Sequence, residues 1–303
     1  MGISINLRDG CETHDPLDSY FLSYLEQNRQ DAESVKGHPF QTLYRLAGLN
    51  DKILDGLPPG HIIDCGASQG GRFDPQTLDR GSHTSVCVDF DSDALTRHGD
   101  ECGVTFDFRT LPEAVSHLSL REAIEVSMRQ ARQPIRKQLE LFMEFLDNRP
   151  VSAVLLVHIL GYLPPEVALR VVRMALKSVQ VGGKVVLGNG YYDRLSEPLR
   201  PMADIEQSGE FSKQLGTEFT VEAMNVAPFM SRDTHAELES LIPSPLLFKR
   251  RTIELMESGA IQFTLCDEQL LPDVLTQKVL QLADESVVWV YGAERMRILT
   301  RVA

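Results

Sequence analysis

Five short apolar runs, separated by stretches of crossover length, constrain this chain more than any other feature. His61–Cys65, Thr84–Asp89, Val104–Phe108, Val151–Val157 and Gly183–Leu187 each read as a strand. The segments between them, near 70–80, 91–100, 113–147 and 165–179, are long enough to hold helices. Alternating strand and helix of this kind predicts a doubly wound α/β sheet, mostly parallel, with helices on both faces. The runs are apolar throughout rather than alternating, as strands covered on both sides must be.

The flanks follow other patterns. Residues 15–56 predict helix, with Phe40, Leu43, Tyr44, Ala47 and Leu54 at helical spacing, and Gly56-Leu-Pro-Pro-Gly60 stops the run. Beyond the fifth strand the rhythm breaks. Residues 193–245 scatter Met202, Phe211, Phe219, Met224, Phe229 and Met230 among prolines and glycines, which predicts a lid or substrate-binding insertion. A helix is expected near 244–258, a strand near Ile261–Cys266, a helix near 268–284, and strands at Val287–Tyr291 and Met296–Val302. The expected organisation is an N-terminal helical cap (1–57), a Rossmann-like core (58–192), the insertion (193–245) and a C-terminal completion of the sheet (246–303).

Composition narrows the function. No apolar run approaches the roughly 20 residues of a membrane helix, and the first residues, MGISINLRDG, lack the basic start of a signal peptide. Five scattered cysteines (Cys11, Cys65, Cys87, Cys102, Cys266) form no CxxC pair. That pattern predicts reduced thiols in a cytoplasm and no metal site. The net charge of −13, from 43 acids against 30 bases, argues against a nucleic-acid partner. Lys249-Arg250-Arg251 and the bases from Arg129 to Lys137 read as solvated helix faces.

The chemistry concentrates in His61-Ile-Ile-Asp-Cys-Gly-Ala-Ser-Gln-Gly-Gly-Arg72. A strand ends in an acid, Asp64, and turns through glycines that permit positive φ and close approach of a ligand. A dinucleotide fingerprint beginning at Gly66 needs a second glycine where Ser68 stands, to make room for a pyrophosphate. A ligand without phosphates does not need that clearance, so the loop with Gly70 favours a nucleoside. Asp89 closes the second strand, where a carboxylate can accept both ribose hydroxyls. Asp107 closes the third, placed to accept from an adenine amino group, with Phe108 beside it to cover the base.

In order along the chain, these segments resemble the motifs of the class I S-adenosylmethionine (SAM) dependent methyltransferases. Asp64-x-Gly66-x-Ser68-x-Gly70 is similar to motif I, and Val86–Asp89 to motif II. Thr105–Pro112 resembles the adenine-binding segment, and Leu155-Leu-Val-His-Ile-Leu-Gly-Tyr-Leu-Pro-Pro165 motif IV. Val181-Gly-Gly-Lys-Val-Val-Leu187 resembles the fifth strand, so the likeness covers about 58–190. It implies a seven-stranded sheet and SAM as cofactor. The methionine part would lie over the backbone at Gly66, Ser68 and Gly70, with Asp64 near its amino group or orienting the loop. Asp89 would take the ribose, Asp107 and Phe108 the adenine, and His158 and Tyr162 would stand by the reacting methyl. Gly161 departs from the pattern, standing where related chains often carry His.

Methyl transfer from a sulfonium is an in-line displacement, so alignment and a dry pocket supply much of the rate. His158 is the candidate base, with an ordinary pKa suited to neutral pH. Tyr191, in Tyr191-Tyr192-Asp193 after the fifth strand, is placed to face a substrate or the sulfonium. Three functions remain open at this level: methylation of a small-molecule acceptor; another SAM reaction, releasing methylthioadenosine; and a non-catalytic module. The retained acids speak against the last.

Overall fold

In the computed structural model, the residues described are 39–66, 73, 78, 81–89, 102–106, 108, 118–131, 133–157, 159–160, 163–189, 217–241, 243–267 and 294–303. The strands are β1 (Gly60–Cys65), β2 (His83–Asp89), β3 (Cys102–Thr105), β4 (Val151–Val157), β5 (Val179–Asn189), β6 (Phe219–Phe229), β7 (Gln262–Asp267) and β8 (Glu294–Arg301). They form a sheet of order β3-β2-β1-β4-β5-β8-β6-β7. The first five are parallel, and β8 runs antiparallel to both β5 and β6. The first seven positions are the mostly parallel, doubly wound sheet expected; β7, antiparallel to β6, adds an eighth strand at the edge.

The helices are α1 (Pro39–Leu46), α2 (Leu49–Leu54), α3 (Leu120–Gln130), α4 (Gln133–Asn148), α5 (Pro165–Ser178), α6 (Arg232–Leu241) and α7 (Pro245–Glu257). Local chemistry starts several of them. Ser119 and Glu122 form a reciprocal capping box at α3, and Pro165 and Pro245 stand at the first turns of α5 and α7.

Two cores sandwich the sheet, and the strand pleat sorts side chains between them. Ile63, Cys65, Val86, Val88, Val154, Leu156, Val185 and Leu187 face the first core, with α3, α4 and α5. Ile62, Ala153, Leu155, Val157, Val186, Met296 and Ile298 face the second, with Leu43 and Tyr44 of α1, Leu49 and Ile53 of α2, and Leu238, Leu255 and Met256 of α6 and α7. This two-sided burial is why the centres of these strands carry consecutive apolar residues, as at Ile62–Ile63, Ala153–Val157 and Val185–Leu187.

Several expected boundaries change. The third strand ends at Thr105, because its register with β2 closes at Asp89↔Thr105. The fifth begins earlier, at Val179, since β5 pairs with the start of β4 as Val151↔Val179. Part of the range 193–245, expected as an insertion without a strand or helix period, is regular structure joined to the core. Phe219–Phe229 is β6, hydrogen-bonded between β8 and β7, and Arg232–Leu241 is α6. Leu238 of α6 is buried in the second core. Residues 193–216, the helix expected at 268–284 and the strand at 287–291 lie outside the described residues. No described helix is long and apolar enough to cross a membrane.

Candidate functional site

Strand order reverses between β1 and β4, and in open α/β sheets a crevice forms there, beyond the carboxyl ends of the strands. Asp64 and Asp89 stand at that edge on adjacent strands, with Asp64 opposite Cys87 and Asp89 two residues further on. Since Ile63 and Cys65, and likewise Val86 and Val88, point into the first core, both acids point to the opposite face. Asp64 is fully buried and Asp89 retains 6% of its exposure.

Past β1 the chain turns at Gly66, whose φ is +71°, a left-handed conformation that glycine adopts without cost. The Gly66 N–H donates to the Val88 carbonyl at 2.7 Å, and the Phe106 N–H donates to the Asp89 carbonyl at 2.8 Å. These bonds carry the pairing of the three strands into the loops beyond them. A Cβ on Gly66 would lie 3.3 Å from Cβ of Ile159, in the segment after β4. The space beyond this glycine's missing side chain is therefore held by the protein itself.

The other strand ends meet closely as well. A Cβ at Gly188 would come within 2.6 Å of Val157 Cγ1 and 2.9 Å of Met296 Sδ, so β4, β5 and β8 close up beside the crevice only because this position lacks a side chain. Phe108, expected over the adenine, is buried in the first core, edge-to-face on Phe106 with ring centroids 5.2 Å apart. Ser68, Gly70, Asp107, His158, Tyr162 and Tyr191 lie outside the described residues. The structure thus brings together Asp64, Gly66 and Asp89. Among the described residues no cluster of His, Cys, Asp and Glu could hold a metal ion.

Three buried titratable groups with lowered pKa values, His61, His83 and Lys184, stand at the opposite edge. His61 bonds Thr84 Oγ1 through Nδ1 at 2.6 Å and lies against the ring of Phe145; burial lowers its pKa, as it does that of His83. Lys184 on β5 is buried beneath α2, and its Nζ donates to the carbonyls of Lys52 (3.1 Å), Ile53 (3.0 Å) and Asp55 (2.5 Å). Burial pushes its pKa down. An open hollow lined by Gly48, Asp51, Lys52, Asp55, Gly81 and His83, among others, lies at this amino edge, away from the acids. Sequence reasoning missed both Lys184 and Ile159. The only available signal for the former was a lone lysine inside the apolar run Gly183–Leu187.

Among solved structures the chain is similar to a SAM-dependent methyltransferase from Archaeoglobus fulgidus, at 13% identity and a TM-score of 0.41, over 93% of this chain and 99% of that one. It is similar also to the plantazolicin methyltransferase BpumL in complex with SAH, at 11% identity and a TM-score of 0.40, over 95% and 91%. A third is a TehB-like SAM-dependent methyltransferase from Corynebacterium glutamicum, at 13% identity and a TM-score of 0.37, over 69% and 87%. No family model matches the sequence, and no curated protein matches it.

Proposed function

We propose that this chain is a SAM-dependent methyltransferase of a small-molecule acceptor, binding the cofactor at the carboxyl edge of β1 and β2. One observation carries the reading: Asp64, Gly66 and Asp89 converge beside the reversal of strand order, with both acids on one face of the sheet. The donor set fits the cofactor. SAM brings hydroxyls and an amino group that need acceptors, and no phosphate that needs cations; the described strand ends here offer carboxylates.

When bound, SAM would supply an electrophilic methyl on a sulfonium. Everything else falls to the chain. Asp89, at the tip of β2, accepts from the ribose hydroxyls. Asp64, with no exposed surface, orients the loop that begins at Gly66. The Gly66 turn, tied to the Val88 carbonyl, holds the backbone against which the amino-acid portion lies. Asp107 accepts from the adenine amino group. Phe108, anchored on Phe106, stiffens the base pocket from the core side. His158 accepts a proton from a hydroxyl or ammonium acceptor, with Tyr162 and Tyr191 lining the acceptor side.

Product analysis tests this. The protein is incubated with SAM and a metabolite extract, and sulfur-containing products are read by mass spectrometry. S-adenosylhomocysteine together with a methylated acceptor is the expected outcome. Methylthioadenosine, or no turnover by a protein that binds SAM, would refute methylation while leaving the cofactor site standing. Absence of SAM binding in calorimetry would remove the site as well.

A further inference from the structure

We propose that Ile159 is a positioning residue of this same pocket, a wedge that fixes where the Gly66 turn lies. The inference rests on the SAM reading above and adds to it a residue to which the motif IV likeness assigns no role. A Cβ built on Gly66 would meet Ile159 Cβ at 3.3 Å, Cδ1 at 3.5 Å and Cγ1 at 3.6 Å. The side-chain face of the glycine is thus covered by the β-branched Ile159. On the main-chain side, the Gly66 N–H is bound to the Val88 carbonyl. The turn is clamped between the main chain of β2 and the Ile159 side chain from beyond β4.

That side chain is itself held. Ile159 is half-buried against the first core, and the next residue, Leu160, is fully buried in it. The Leu163 N–H donates to the Leu160 carbonyl at 3.2 Å, closing a turn directly after the wedge. A β-branched side chain has restricted χ1 freedom, so Ile159 is stiff as well as anchored. Asp64 and Asp89 point to the second-core face, whereas Ile159 packs on the first core. It therefore closes the crevice on the side away from the acids, and ligand reaches the turn from the acids' side. Removing the wedge frees the turn to relax into the vacated space, and a turn that must be re-ordered on binding loses affinity. Ile159 also follows His158 in the chain, so the segment that sets the cofactor turn is the one that carries the candidate base.

The test is calorimetric affinity for SAM and for S-adenosylhomocysteine in the wild type, Ile159→Ala, Ile159→Val, Gly66→Ala and the double variant Gly66→Ala/Ile159→Ala. Circular dichroism checks that each is folded. Ile159→Ala should weaken binding roughly three- to tenfold through lost pre-organisation. Ile159→Val, which keeps Cβ and its branch, should bind like the wild type. Gly66→Ala places its methyl against Ile159 in a left-handed turn and should bind weakly, and adding Ile159→Ala should recover part of the lost affinity, since the Cγ1 and Cδ1 contacts are then gone and the Cβ that remains belongs to a small side chain free to give way. Additive losses in the double variant, or wild-type affinity in Ile159→Ala, would overturn the wedge while wild-type binding keeps the SAM reading. A folded wild type that does not bind SAM overturns that reading and this inference together. Should Gly66→Ala not fold, the contrast between Ile159→Ala and Ile159→Val decides alone.

Discussion

Replacing Lys184 by Met removes an ammonium group while keeping an unbranched stem of similar length, and it isolates what that group does for α2. The last turn of an α-helix leaves carbonyls without intrahelical partners. In α2 the Asp51 carbonyl is satisfied by the Asp55 N–H, while those of Lys52, Ile53 and Asp55 all accept from Lys184 Nζ. The bond to Ile53 is buried and the other two are partly exposed. In the variant, water can replace the ammonium at the two outer carbonyls but not at Ile53. A buried carbonyl left unpaired costs about 1–3 kcal/mol, and bonds to a charged donor are worth about 1.5–3 kcal/mol each before solvent competition. Against this stands the cost of burying the ammonium, which lowers its pKa and is recovered on substitution. Weighing one lost buried bond and two partly replaced ones against that recovery gives a net loss of about 2–4 kcal/mol. Urea unfolding of wild type and Lys184→Met near neutral pH measures it, with hydrogen exchange of residues 52–57 reporting whether α2 loosens first. Lys184→Arg, which keeps the charge, should lose less. Unchanged stability together with unchanged protection of α2 would show that desolvation cancels the three bonds, and the capping role would be refuted.

Asp89→Ala should lower SAM affinity roughly tenfold or more while the fold survives, because a charge-assisted acceptor is removed from the ribose; equal affinity by calorimetry would sink that assignment. Burial holds the pKa values of His61 and His83 below 6.5, so the unfolded chain takes up protons first as the pH drops and stability is lost through the window below 6.5. Urea midpoints measured at about pH 7.5 and 5.5 should therefore fall less in a His61→Gln/His83→Gln variant than in the wild type, and an equal fall would place the pH dependence elsewhere. Amides in the centre of β6 should be protected from exchange without any ligand, because the strand is hydrogen-bonded on both edges; fast exchange there would return 219–229 to the role of a mobile cover.

The apolar runs determined by themselves that strands β1 to β5 exist, because a strand buried on both faces has no room for polar alternation. They determined also that acids and a glycine turn close the first two strands, since Asp64, Gly66 and Asp89 follow directly in the chain. Partners distant in sequence decided the rest. Phe219–Phe229 carries Glu222, Asn225 and Pro228 among its apolar residues and shows no strand signature. It becomes β6 through pairing with β8, as in Phe219↔Arg301, and one face is then buried at Met224 and Val226 while Val221 stays half-exposed. Lys184 reads as an odd polar residue in a strand until α2 is laid over β5 and its final carbonyls meet the ammonium. Gly66 reads as room for a ligand until Ile159, 93 residues further on, is found filling that space. Period and composition record what a residue's own neighbourhood requires. Which side chain completes a helix end, or fills the gap beside a turn, depends on contacts that only the closed sheet brings together.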